Sequence, residues 1–514
     1  MSGPTALKAS LLDPHVCVIG AGTMGRGIAQ IAVAAGHAVS LVDPDAGQLQ
    51  AAVADIRSRL NRKHPELATD LETRLLCAKS IDAVPAAADT LVVEAVVEDL
   101  AVKATVFAQA WDHFGPGCLL ATNTSSLSIT EIAAATADPT RVVGLHFFNP
   151  VPVMRLVEVI RGLDTDQEVV ARVAALARSW GKEVAHVRSA PGFIVNRVAR
   201  PFYGESLRLL EEQTASAEII DEVLRGAGQF RMGPFELMDL IGNDVNFTVT
   251  STVWRAFNFD ARYAPSQLQA ELVAAGRLGR KSGRGFYRYD LDADRPQPPP
   301  ATSRADCPER VVMHGDSPQL AALLERAGIT PQAGETGQTP SVEFPGQGMV
   351  VVTRGCTAQL ESSSLGAPVA VLDLCLDPST VDRLALASTD PDLLASLVAL
   401  LSRAGVAAFP IADAPGLIVA RVMSMIANEA WEAAHQGIAT TEDIDSAMIL
   451  GTNYPMGPFR WSEEWTPAVV LQVLDELATE YRDPRYRPSI RLRAAARTRT
   501  LSQSARSSAV STGL

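Results

Sequence analysis

Apolar residues fall along the first 190 positions in two alternating rhythms. Short apolar runs such as "HVCVIG" (15–20), "AVSLVD" (38–43), "TLVVEAVV" (90–97), "CLLAT" (118–122) and "RVVGLHFF" (141–148) alternate with longer helical stretches such as "IAQIAVAAG" (28–36). That alternation predicts a parallel α/β sheet covered by helices. "MRLVEVI" (154–160) comes back as one more strand. From Phe193 the period turns helical, predicting a long helix to about Gln213 and several more to about Tyr289. A proline-rich linker then spans 291–305.

Beyond the linker the chain repeats itself. Residues 165–238 align without gaps on 389–462, at a constant spacing of 224. Thr165-Asp166 meets Thr389-Asp390, "APGFIVNRV" meets "APGLIVARV", Glu205 meets Glu429, and "MGPF" recurs at Met456 to Phe459. At a spacing of 228, "LHFFNPVPVMRL" lies over "DLCLDPSTVDRL". The expected plan is therefore a Rossmann-type α/β domain over 1–190 and an all-α domain over 191–290. A degenerate Rossmann-like remnant (306–410), a second all-α domain (411–495) and a basic tail (496–514) follow. On this alignment Leu374 stands opposite His146, Leu386 opposite Glu158 and Ala420 opposite Asn196, so the second copy lacks the polar residues of the first.

Composition narrows the function. Charged residues make up 20% and hydrophobic residues 47% of 514, ordinary for a globular protein of several domains. No apolar run reaches the ~18 residues of a membrane span, and the opening "MSGPTALKASLLDPH" lacks a secretory core, so no membrane association is expected. Six cysteines without metal-ligand spacing suit a reducing cytoplasm and imply no metal. A net charge of −13 argues against nucleic acid as a partner.

Candidate chemistry clusters after the strands. Gly20-Ala21-Gly22-Thr23-Met24-Gly25 is a GxGxxG turn between a strand and a helix. Its glycines permit a tight turn, close approach of a pyrophosphate and close helix packing. Asp43 ends the second strand, where a carboxylate accepts from a ribose diol and repels a 2′-phosphate, favouring NAD. Arg57, Arg59, Arg62 and Lys63 crowd the end of the next helix and read either as a solvated face or as a phosphate cradle. Glu98 and Lys103 follow the strand "TLVVE". Ser128 and Glu131 form a capping box, which leaves Ser125 and Ser126 as spare hydroxyls. His146 on a strand, with Glu158 on an otherwise apolar face, suggests a base and its carboxylate partner beside a nicotinamide. A catalytically silent NAD-binding protein on the same fold is the alternative from another class.

The set GAGTMG, NTSSL, GLHFFNPVPVM, LVEV and PGFIVNR resembles the L-3-hydroxyacyl-CoA dehydrogenase family of fatty-acid β-oxidation. The resemblance implies an NAD-dependent oxidation of an acyl-CoA, with His146 as base, Glu158 as its partner, and Ser125 and Asn196 bonded to the substrate. It implies NAD contacts from Asp43, Glu98, Lys103, Ser125, Asn149 and Lys281, and Lys63 as the nearest match to a CoA-contacting lysine. The two-copy plan is similar to the bacterial branch that oxidises 3-hydroxyadipyl-CoA in phenylacetate catabolism; 3-hydroxybutyryl-CoA, or short-chain substrates in general, is the alternative. For a dicarboxylate substrate, Arg200 and Arg231 are candidate readers of the distal carboxylate. Family members with one copy form dimers, so the second copy is expected to serve as an intramolecular partner, with a homodimer as a further expectation.

Overall fold

The computed structural model describes residues 14–63, 65–87, 89–289, 297–336 and 339–498. The amino-terminal stretch, part of the proline-rich linker and most of the basic tail lie outside the described residues. The chain forms two compact units. One runs to Arg197 and includes Gln436–Thr452; the other comprises Val198–His435 and the residues from Asn453 on.

The first unit is built on an eight-stranded sheet of order β3-β2-β1-β4-β5-β6-β7-β8. Its strands are β1 (His15–Ile19), β2 (Val39–Val42), β3 (Leu75–Ala78), β4 (Thr90–Glu94), β5 (Leu119–Thr122), β6 (Val142–Phe147), β7 (Leu156–Arg161) and β8 (Glu183–Arg188). The first six are parallel in the 3-2-1-4-5-6 order of a dinucleotide-binding sheet. The sheet is not parallel throughout, because β7 runs antiparallel to β6 and sets His146 opposite Glu158. The apolar runs are buried because helices pack on the sheet, and Val16, Val18, Leu91, Val93 and Ala121 are 1% exposed or less.

The long helix expected from Phe193 is two helices, Val195–Val198 and Arg200–Glu211. Pro201 has no N–H to donate and its ring crowds the preceding turn, so the helix breaks at Ala199. Phe193 has a positive φ of 51° and so lies before the helix.

In the second unit a seven-stranded sheet has the order β10-β9-β11-β12-β13-β14-β15. The strands are β9 (Val312–His314), β10 (Gln332–Ala333), β11 (Ser341–Phe344), β12 (Gly348–Val352), β13 (Val369–Leu372), β14 (Arg383–Ser388) and β15 (Ala407–Pro410). From β12 to β15 the pairing runs parallel, antiparallel, parallel, as it does from β5 to β8. Toward β9 the likeness ends, since β11 is antiparallel to both its neighbours. The proline-rich segment also joins this sheet, through a bond from Ala301 N to Ala408 O of 2.8 Å.

The ladder corrects the alignment of the remnant by one residue. β14 matches β7 at a spacing of 227, so Ala385 takes the place of Glu158. The amide of Asp373 donates to Ala385 O, which puts Asp373, not Leu374, at the place of His146. The Asp373 carboxylate accepts the amides of Ile418 and Val419. In the first copy Glu158 accepts those of Ile194 and Val195, the same two positions 224 residues earlier. The remnant keeps the helix anchor and lacks the imidazole.

Within each unit, residues of one copy are bound by residues of the other. In the first unit, Arg188 N donates to Ile438 O (2.7 Å), and the helix Thr441–Thr452 packs on β7 and β8. In the second unit the counterparts repeat this: Ala412 N donates to Thr214 O (3.0 Å), and the helix Ala217–Gly226 packs on β14. The helices Arg200–Glu211 and Val419–His435 lie side by side. Buried Glu205 accepts Tyr486 Oη (2.9 Å) and faces Arg485, while buried Glu429 accepts Tyr263 Oη (2.6 Å) and Arg262 (3.2 Å). Paired charges with further donors are how such carboxylates tolerate an interior.

Candidate active site

Three loops leave the carboxyl ends of the parallel strands, the edge at which open α/β sheets bind ligands. The first is the glycine turn after β1. Gly20 has a φ of +104°, which suits glycine, and its turn is tied to β2 by Ala21 N donating to Asp43 Oδ2 at 2.8 Å. A Cβ on Gly25 would collide with the Gly20 carbonyl oxygen, so helix and turn touch there. A Cβ on Gly22 would meet nothing within 4 Å, and no side chain caps the helix Thr23–Ala34 behind it. Open space before uncapped helix N–H groups fits a pyrophosphate, and with it NAD.

The second loop follows β4. Glu94, absent from the sequence-based candidates, is fully buried at the strand's end and accepts Lys103 Nζ (2.8 and 3.1 Å), Thr122 Oγ1 (2.8 Å) and Val96 N (2.8 Å). Lys103 Nζ also lies 3.2 Å from Glu98. Lys103 is 1% exposed, and its ammonium is held between Glu94 and Glu98. The only hint in the sequence was a charge ending an otherwise apolar strand.

Glu98 organises the third loop, after β5. Its Oε1 accepts Thr124 Oγ1 (2.6 Å), Ser126 Oγ (2.9 Å) and the amides of Ser125 (3.0 Å) and Ser126 (3.1 Å). Burial opposes ionisation of Glu98, but the Lys103 ammonium and the bonds from Thr124 and Ser126 outweigh it and hold its carboxyl below the usual range. Ser125 Oγ reaches Glu98 only at 3.4 Å, so of the two hydroxyls it is the less engaged. The expected cap is present, with Glu131 N donating to Ser128 Oγ at 3.2 Å. Asn123, also absent from the candidates, accepts Phe147 N (2.9 Å) and ties this loop to the end of β6.

His146 and Glu158 meet across the β6–β7 ladder. His146 is 4% exposed and Glu158 fully buried, with Nδ1 to Oε2 at 2.6 Å. Phe148 and Phe193 flank the ring, with centroids 4.5 and 5.8 Å away. The other carboxylate oxygen of Glu158 accepts Ile194 N and Val195 N, at 3.0 and 3.1 Å. Asn196, next in the chain, donates from Nδ2 to Ser125 O at 3.3 Å. These bonds, with the chain step from Val195 to Asn196, link Ser125 and Asn196 to Glu158 and His146 in one network. With Glu158 as acceptor, Nδ1 carries the proton and Nε2 has its lone pair free to accept one. Asn149 is exposed on the loop after β6. That loop is held by Lys182, whose Nζ donates to Val151 O and to Met154 O (2.7 Å); burial lowers the pKa of Lys182 to about 8.

Among the described residues, no bond links the remaining candidates to this network. Arg57 pairs with Glu72 and Arg59 with Asp55, so half of the expected basic cradle is neutralised on the surface. Lys63 ends the helix Ala46–Lys63, and its side chain lies outside the described residues. In the second unit, exposed Lys281 pairs with Asp244 at 2.6 Å. Arg231 is exposed, in a cleft with Arg225 and Arg383. Arg200 is buried: it is 7% exposed, lies over the Tyr203 ring at 4.9 Å, and donates to Thr250 Oγ1. Burial lowers its pKa, and among the described residues no carboxylate pairs with it. The helix break at Ala199 also separates it from the helical turn of Asn196.

Residues 15–190 match the 3-hydroxyacyl-CoA dehydrogenase NAD-binding domain. The C-terminal domain of that family matches twice, at 192–289 and 416–511. A reduced Rossmann-fold domain of 3-hydroxybutyryl-CoA dehydrogenase matches 350–415. A 3-hydroxyadipyl-CoA dehydrogenase of Escherichia coli K12 is 43% identical over 93% of this chain and 96% of its own. A 3-hydroxybutyryl-CoA dehydrogenase of Bradyrhizobium diazoefficiens is 39% identical but covers only 53% of this chain, one copy of the two. The crystal structure of a 3-hydroxybutyryl-CoA dehydrogenase from Escherichia coli K12 matches with a TM-score of 0.84 and 41% identity, over 94% of this chain and 98% of that one. The chain belongs to the 3-hydroxyacyl-CoA dehydrogenase family, NAD-dependent oxidoreductases, in a form with two copies of the C-terminal domain.

Proposed function

We propose that this protein oxidises the 3-hydroxyl of an L-3-hydroxyacyl-CoA to the ketone, with 3-hydroxyadipyl-CoA as its substrate. The observation that carries the reading is the buried His146–Glu158 pair, tied through Asn196 to the serine loop. His146 Nε2 takes the hydroxyl proton, and Glu158 stabilises the imidazolium that forms. Ser125 and Asn196 orient the substrate oxygen. NAD supplies the hydride acceptor when bound. Gly20 to Gly25 would hold its pyrophosphate and Asp43 its adenosine ribose, and Glu98, Ser125, Asn149 and Lys281 would contact the rest, with Lys103 acting through Glu98. Lys63 is assigned to the CoA phosphates.

The relatives carry two substrate names, adipyl and butyryl. Arg200, a buried guanidinium with no carboxylate partner among the described residues, is the first candidate reader of the distal carboxylate, since such a charge is costly unless an anion meets it. Arg231, exposed, is the second candidate. Comparing NADH formation from 3-hydroxyadipyl-CoA and 3-hydroxybutyryl-CoA tests the substrate. Arg200→Met should lower kcat/KM on the adipyl substrate by roughly tenfold and leave the butyryl substrate nearly unchanged. Equal losses on both would end this assignment and turn attention to Arg231. We further propose that the second copy replaces the partner subunit of a single-copy dimer, supported by the reciprocal bonds of Arg188 with Ile438 and Ala412 with Thr214.

A further inference from the structure

The catalytic segment of the first copy is gripped from two sides. On one side Glu158 takes the amides of Ile194 and Val195. On the other stand residues of the second copy that belong to the same compact unit. Arg197, fully buried and next to Asn196, donates from Nη1 to Gln436 Oε1 at 2.9 Å. Arg188 donates from its amide to Ile438 O (2.7 Å) and from Nη2 to Gln436 O (2.6 Å). A Cβ on Gly451 would come within 2.7 Å of Leu156 and 3.0 Å of Val195, so the helix Thr441–Thr452 touches both β7 and the segment. Asn196 lies between these holds.

We propose that the second copy positions the first copy's active site, with Gln436 as a positioning residue acting through Arg197 on Asn196. The proposal rests on the functional reading above for its kinetic part. The mirror half of the molecule isolates the device. There Arg421, the counterpart of Arg197, donates to Glu212 at 2.8 and 3.1 Å, and Asp373 takes the amides that Glu158 takes in the first copy. The same clamp there encloses Ala420, which has no side chain able to hydrogen-bond a substrate. Glu212 and Gln436 occupy equivalent places, so the molecule itself names the conservative replacement.

The test uses the full chain with Gln436→Ala and Gln436→Glu. Gln436→Ala should lower kcat roughly tenfold, the scale of a slightly misplaced reacting group, while affinity for NAD stays unchanged. Gln436→Glu should restore kcat, because a carboxylate pairs with Arg197 as Glu212 pairs with Arg421. Independently of any substrate, amide hydrogen exchange over 192–198 should speed up about tenfold in Gln436→Ala and return to the wild-type rate in Gln436→Glu. If exchange responds and the wild type oxidises no 3-hydroxyacyl-CoA, the clamp stands and the functional reading falls. Unchanged exchange and kcat in Gln436→Ala would overturn the clamp. So would equal losses in both variants together with lost NAD affinity, which is the mark of general destabilisation.

Discussion

Nδ1 of His146 faces Glu158 at 2.6 Å, so a proton taken up at Nε2 creates an imidazolium already opposite a carboxylate. His146→Gln should therefore lower kcat roughly a thousandfold and leave NAD affinity nearly intact, since the glycine turn is untouched; steady-state kinetics and cofactor titration check both. Lys182 offers a different measurement. It is a base held at about 8 when folded, against 10.5 when free. Between those values the unfolded chain binds more protons than the folded one, so the contribution of Lys182 to stability rises as pH climbs through that window. Denaturation midpoints of the wild type and Lys182→Met, taken at pH 8 and pH 10, should differ in slope accordingly. Equal slopes would mean that Lys182 is not held in this way.

Strand and helix periods marked the first sheet well, because central parallel strands are apolar throughout and need no partner to be recognised. The histidine and glutamate were legible for the opposite reason, as costly groups on apolar strands. Glu94 was not, because a carboxylate ending a strand looks like any strand end until Lys103 and Thr122 are seen around it. The break at Ala199 was signalled by Pro201 yet hidden by unbroken helical spacing. In the remnant, matching letters sets Leu374 at the place of His146, whereas the strand ladder sets Asp373 there. Asp373→Ala leaves the amides of Ile418, Val419 and Ala420 without their acceptor inside the protein, at a cost of about 2–4 kcal/mol. Urea denaturation should show the loss; a change below about 0.5 kcal/mol would mean that Asp373 does not anchor the helix start.

Taken whole, the described residues hold one buried histidine–glutamate pair, His146 with Glu158, and two copies of the helical scaffold. Ending the chain at residue 305 would uncover the helix Arg200–Glu211, strip the buried carboxylate Glu205 of Arg421 and Tyr486, and bare β7 and β8. The shortened protein should dimerise or aggregate, as sedimentation would show; a stable, active monomer would make the second copy dispensable. The reciprocal bonds have one further consequence. In an assembly of two identical chains, every inherited change at the twofold interface is made twice, once on each side. Here the two sides are written separately in one gene. Glu212 facing Arg421 and Gln436 facing Arg197 show that freedom in use, since one side holds a charge where the other is neutral. Selection can therefore tune the contacts beside His146 and Asn196 without disturbing their counterparts around Asp373 and Ala420.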